Sequence, residues 1–88
     1  MKVIWKYAIP NLENVIAMPE GAKVLCVHTQ RGEPQIWALV DPNAPKVTRT
    51  IHIHGTGHPV PDDPGTYIGT IQLACGGLVF HVFADQPA

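Results

Sequence analysis

Apolar and polar residues alternate along this chain in short runs with the two-residue period of β-strands, and proline and glycine break the runs apart. Val3 to Ile9 puts Val3, Trp5, Tyr7 and Ile9 on one face and Ile4, Lys6 and Ala8 on the other, and Pro10 ends it. Asn14 to Met18 reads as a short second strand, followed by a Pro19-Glu20-Gly21 turn. In Lys23 to Gln30, strict alternation puts Val24, Cys26 and His28 on one face and Leu25, Val27 and Thr29 on the other. Arg31 to Pro34 turns that strand back into Gln35 to Asp41, a hairpin apolar on both faces and so expected to be central or covered on both sides.

The next strand, Val47 to His54, separates its faces more sharply. Ile51 and Ile53 point one way, with Arg49 on their side, while Thr48, Thr50, His52 and His54 point the other. The isoleucine face is the expected core, and the histidine face is expected to be exposed or functional. Gly55 to Thr66 is a long loop with three prolines and two aspartates, and a loop of that length in a small domain points to function. Tyr67 to Leu73 follows, with Gly69 as a bulge or a point of close approach. Ala74 to Gly77 then turns the chain into Leu78 to Ala84, a second hairpin. The tail from Asp85 to Ala88 is expected to fray.

With nine prolines, eight glycines and no sustained helical period, the chain reads as all-β. The expected fold is a single domain over residues 1–88, a small sandwich or barrel of about seven short, mostly antiparallel strands.

Composition adds limits. Hydrophobic residues make up 45% and charged residues 15%, a low charged fraction for a small domain with much surface to keep wet, so a homo-oligomer is expected. Six Lys and Arg are scattered and the net charge is -1, which argues against long nucleic acid as a partner. No stretch reaches the length of a membrane-spanning helix, and charge interrupts the first residues too early for a leader peptide. Cys26 and Cys75 have no zinc-type spacing, and a cytosolic protein with reduced thiols is expected.

The chemistry-bearing residues concentrate between Ile51 and Pro59, which holds three of the five histidines. His52, His54 and His58, with His81 or Asp62 as a fourth ligand, form a conceivable zinc set. Gly55-Thr56-Gly57-His58 has two glycines that let backbone approach a ligand, plus a hydroxyl and an imidazole donor. No helical pattern follows, so it is neither a dinucleotide fingerprint nor a phosphate-binding loop of the Walker type. Arg49 is the cation best suited to a bidentate phosphate contact. Of the six aromatics, at least three are expected in the core, while Tyr67 and Trp37 are candidates for stacking on a base. There is no serine, and no cysteine–histidine pair with nucleophile geometry is evident, so binding without catalysis or cofactor is favoured.

Trp5-Lys-Tyr7, Met18-Pro-Glu-Gly-Ala-Lys-Val24, Trp37-Ala-Leu-Val-Asp41, Gly55-Thr-Gly-His58 and Tyr67-Ile-Gly-Thr70 together resemble a family of small phage-encoded proteins of unknown function. That family, in turn, resembles the viral sponges of cyclic nucleotide immune signals, although no binding residues can be matched between the two one by one. That resemblance implies a β-rich protomer in a symmetric oligomer, a cyclic dinucleotide held near a subunit interface in the host bacterial cytosol, and no turnover. From residue type and position in this chain, the ligand-binding residues expected are Trp37, Arg49, Gly55, Thr56, Gly57, His58 and Tyr67. The alternatives are a small structural or protein-interaction protein of a phage and, last, a zinc-dependent enzyme.

Overall fold

The computed structural model describes residues 1–86, which form seven strands. These are β1 (Val3–Ala8), β2 (Glu13–Pro19), β3 (Lys23–Gln30), β4 (Glu33–Val40), β5 (Lys46–Gly55), β6 (Thr66–Leu73) and β7 (Leu78–Ala84). They make two antiparallel sheets, ordered β1-β4-β3 and β2-β5-β7-β6. The arrangement is a sandwich of three strands on four rather than a closed barrel. Of the strand pairs between the two sheets, β3 and β6 come into the closest backbone contact, so the sandwich is tightest along that side.

The core lies between the sheets, where the inward row of each strand meets its opposite. Val24, Val27, Ile36, Ala38 and Val40 face Met18, Ile51, Ile53, Ile71, Val82 and Ala84, all buried. The Ile51/Ile53 face is the core face, as the alternation of β5 requires. Burying an aliphatic side chain of this kind contributes roughly 1.5–3 kcal/mol, so this inward row supplies the main driving force for folding.

Three local expectations are corrected. A β-bulge between Val24 and Cys26 shifts the register of β3, so Val24 and Val27 both turn inward although simple alternation places them on opposite faces. The fully buried set is aliphatic, and among the aromatics only Tyr7 and Phe80 pack against it, each half-buried. Two thin sheets leave a layer that branched aliphatics fill, and the other rings lie on outer faces or edges. Desolvation where it meets the core raises the Tyr7 phenol above its ordinary 10.0.

The third correction concerns the tail. Asp85 accepts a hydrogen bond from the Thr50 amide at 2.9 Å and an ion-paired one from Arg49 Nε at 2.8 Å. The Gln86 amide accepts from the Val24 N–H at 2.8 Å and donates to the Val24 carbonyl at 3.1 Å. The tail is therefore docked through Gln86; Pro87 and Ala88 lie outside the described residues.

The β3–β4 hairpin turns on Arg31 and Gly32, both with positive φ (53° and 79°), the backbone of a tight two-residue hairpin. β4 is central in its sheet, but the outer face of the hairpin is not covered: Trp37 and Leu39 are half-buried there and Leu25 is exposed. Gly69 combines both expected roles. It follows a bulge in β6, and a Cβ on it would come within 2.9 Å of Val27 Cγ1 across the sandwich. Only glycine lets β6 lie that near to β3.

Candidate functional site

The outer face of the four-stranded sheet is built by register. β5 pairs with β7 so that His52 faces Phe83 and His54 faces His81, and β7 pairs with β6 so that Phe83 faces Tyr67 and His81 faces Thr70. The alternation that buries Ile51 and Ile53 thus lines up His52, His54, His81, Phe83, Tyr67 and Thr70 on one side of the sheet. The middle of this face carries no Lys, Arg, Asp or Glu; Glu13, opposite His52, is the nearest such position in the ladder.

These residues are bonded to one another. Thr56 Oγ1 lies 2.7 Å from His81 Nε2, and Thr70 Oγ1 lies 3.0 Å from His81 Nδ1. Tyr67 OH is hydrogen-bonded to Thr70 Oγ1. A neutral imidazole donates from one nitrogen and accepts at the other, so one threonine donates to the ring and the other accepts from it. Thr56, His81, Thr70 and Tyr67 form a continuous polar chain across three elements. Beside it, His54 stacks on His52 with ring centres 6.1 Å apart and planes within 11°, and meets the edge of Phe83 at 5.9 Å. Tyr67 meets Phe83 at 5.6 Å in the same edge-on manner. His54 Nε2 is buried and has no hydrogen-bond partner among the described residues.

The Gly55-Thr-Gly-His58 corner sends its side chains two ways. Thr56 joins His81 on the outer face. His58 closes the turn, its N–H donating to the Gly55 carbonyl at 3.1 Å, and its ring occupies the space a Gly55 side chain would take, 2.9 Å from where a Cβ would stand. Since Gly55 belongs to the isoleucine side of β5, His58 lies on the opposite side from His52 and His54. The three do not make a zinc site: among the described residues no three His, Cys, Asp or Glu side chains gather closely enough to hold a metal ion. The Thr56 amide donates to the Val79 carbonyl at 3.2 Å, which leaves the Gly57 amide without an acceptor among the described residues. The corner also lines a depression of about 300 Å³ with Gly77, Leu78, Val79 and Phe80. This is the lower end of the size range of small-molecule sites.

The remaining candidates lie elsewhere. Tyr67 is 55% exposed and within the polar chain. Trp37 is on the outer face of the other sheet, edge-on to His28 at 6.0 Å. Arg49 is almost buried, and its guanidinium is engaged by Asp85, by the Ala22 carbonyl at 2.7 Å and by Gln86 at 3.3 Å. The structure therefore brings Gly55, Thr56, Gly57, His58 and Tyr67 to one end of the sandwich and leaves Trp37 and Arg49 apart. His81, Thr70 and Phe83 were not foreseen as part of a binding site. The signal lay in the alternation of β6 and β7, but linking it to Thr56 requires the β5–β7 pairing.

With that geometry in hand, comparison with known proteins adds one finding. A family model described as a domain of unknown function, DUF7352, matches residues 1–88. The chain belongs to that family. No match is found among curated proteins or among solved structures. No helix of the described residues is long and apolar enough to cross a membrane.

Proposed function

We propose that this domain is a non-enzymatic binding protein that sequesters a small nucleotide signal such as a cyclic dinucleotide, as a phage-encoded sponge of host immune signals would, in the bacterial cytosol. The observation that carries the reading is the Thr56–His81–Thr70–Tyr67 chain on the outer face, which meets the depression under the Gly55–His58 corner only at Thr56. Polar groups that can donate to phosphate or base edges sit next to the exposed ring of Tyr67 and the half-buried ring of Phe83, on a face whose middle is free of charged side chains. The Gly57 amide adds a backbone donor. A depression of this size holds only part of a dinucleotide, so a two-fold pair of protomers would present two such half-sites to a two-fold ligand. Both nitrogens of His81 are bonded to hydroxyls with no carboxylate behind them, an arrangement suited to holding a ligand.

The test is a thermal-shift screen against cyclic mono-, di- and trinucleotides. The right ligand raises Tm by mass action, and heating the complex returns it chemically unchanged. Recovery of hydrolysed product would make the domain an enzyme. No shift with any nucleotide would reject the sponge. A second reading, a structural or protein-interaction role, is favoured by one observation: apolar side chains are exposed on both faces of β1.

A further inference from the structure

The polar chain on the outer face has two arms that meet at one ring. Thr56 bonds to Nε2 of His81, and Thr70, with Tyr67 behind it, bonds to Nδ1. The ring is half-buried, whereas Thr56, Thr70 and Tyr67 are all exposed. What a ligand meets is therefore hydroxyls, and the group that sets their direction is the imidazole.

Each hydroxyl has one proton to give. A neutral imidazole has one N–H and one bare nitrogen, so it donates to one arm and accepts from the other. With the proton on Nε2, the ring donates to Thr56, whose own hydroxyl proton is free to point outward. Thr70 then donates to Nδ1 and Tyr67 donates to Thr70, so that arm has nothing left to give. With the proton on Nδ1 the roles reverse. Thr56 donates to Nε2, and the Thr70–Tyr67 arm keeps one hydroxyl proton for the outside. A neutral ring thus presents one outward donor, at one end or the other. An imidazolium donates to both arms, and each arm then has a hydroxyl proton directed outward.

The surroundings of His81 leave its charge unanswered. Across the ladder on β5 stands His54, with His52 stacked beyond it, and Glu13 of β2 lies opposite His52. On β6 the titratable neighbour is Tyr67, reached through Thr70, and the corner contributes only Thr56, since His58 is on the other side. Both ring nitrogens are bonded to hydroxyls and neither to a carboxylate, so the imidazolium form has no counter-ion of the protein's own at the ring.

We propose that His81 makes this face a proton-coupled oxyanion site. A phosphate- or sulfate-like ligand accepts from both arms at once, and one proton from solvent goes to the bare imidazole nitrogen as it binds. His81 works through the hydroxyls, as a positioning residue. The inference takes its site from the reading above and adds how that site is regulated: the anion favours the protonated ring, and by reciprocity protonation favours the anion.

The experiment is calorimetry of the full chain with sulfate, which stays a dianion throughout, at fixed ionic strength over the histidine range of about pH 5 to 8. Wild type binds sulfate about tenfold or more tightly at the acid end, because the added bonds are charge-assisted. In mid-range, two buffers of different ionisation heat show proton uptake on binding, a readout that needs no variant. His81→Gln, whose amide offers one donor and one acceptor at every pH, loses the dependence, and His54→Gln keeps it. Unchanged circular dichroism checks that both fold. Sulfate binding that is absent, or equal at both ends of the range, overturns the proposal. Dependence that survives in His81→Gln overturns it too. A cyclic nucleotide that raises Tm equally at both ends keeps the reading above and rejects this inference. Proton-coupled sulfate binding in a chain that no nucleotide stabilises does the reverse.

Discussion

The two ends of β5 show how similar sequence signals come to differ in role. Near its start, Arg49 holds Asp85, the Ala22 carbonyl and Gln86, and so ties the end of the chain to the turn before β3. Past its far end, Thr56 reaches His81 and, through it, Thr70 and Tyr67, on a face open to solvent. Both ends look suited to an anion when read as residues alone. At the first, every polar group has an internal partner and the guanidinium is almost buried, so a ligand would have to displace the fold's own contacts. At the second, the chain of hydroxyls and imidazole holds no two distant segments against the core. The first end works as a latch, and the second as a surface that a ligand can engage.

The contrast makes graded predictions. Arg49→Ala has the largest effect. It strands the part-buried Ala22 carbonyl, breaks the ion pair to Asp85 and the contact to Gln86, and lowers stability by about 2–3 kcal/mol. Urea unfolding reads this directly, and Tm falls by roughly 10 °C or more. A stable Arg49→Ala variant that has lost nucleotide binding would invert the two roles. Asp85→Ala ranks next. It leaves the other two Arg49 contacts in place and costs about 1–2 kcal/mol, because Asp85 is partly exposed and water replaces some of what is lost. Thr56→Val has the smallest effect on folding, within about 0.5 kcal/mol, because the hydroxyl is exposed. It removes the nucleotide-induced thermal shift, and retention of the full shift would take Thr56 out of the site.

Much of the fold was legible in the alternation of apolar residues. All seven strands and both hairpin turns lie where the runs and their breakers place them, because the period of two and the turn chemistry are local properties. The faces of β5 were legible for the same reason. The bulge in β3 was not, since nothing in Val24-Leu25-Cys26 marks an extra residue; it is settled by what the sheet packs against. The docking of Asp85 and Gln86 was also hidden, because each bonds to residues more than thirty positions away. For the candidate site, the Gly55–His58 corner and Tyr67 could be picked out by residue type. Their link through His81 and Thr70 depends on which strands are neighbours, and short apolar strands do not encode that order in any one of them. Trp37 and Arg49 share the residue types of a nucleotide site, but strand order carries them to a different sheet and to the opposite end of β5.

The side chain of Gln86 reaches Val24 across 62 positions of sequence and serves it as a neighbouring strand would. During synthesis, the border of β3 must therefore stay open while nearly all the intervening polypeptide is made. A nascent chain halted at Ala84 would have all seven strands and still expose this border beside that of β1. Extensions or tags joined ahead of Gln86 would leave a species prone to stick to its neighbours, whereas the same tag joined beyond it would spare the seal.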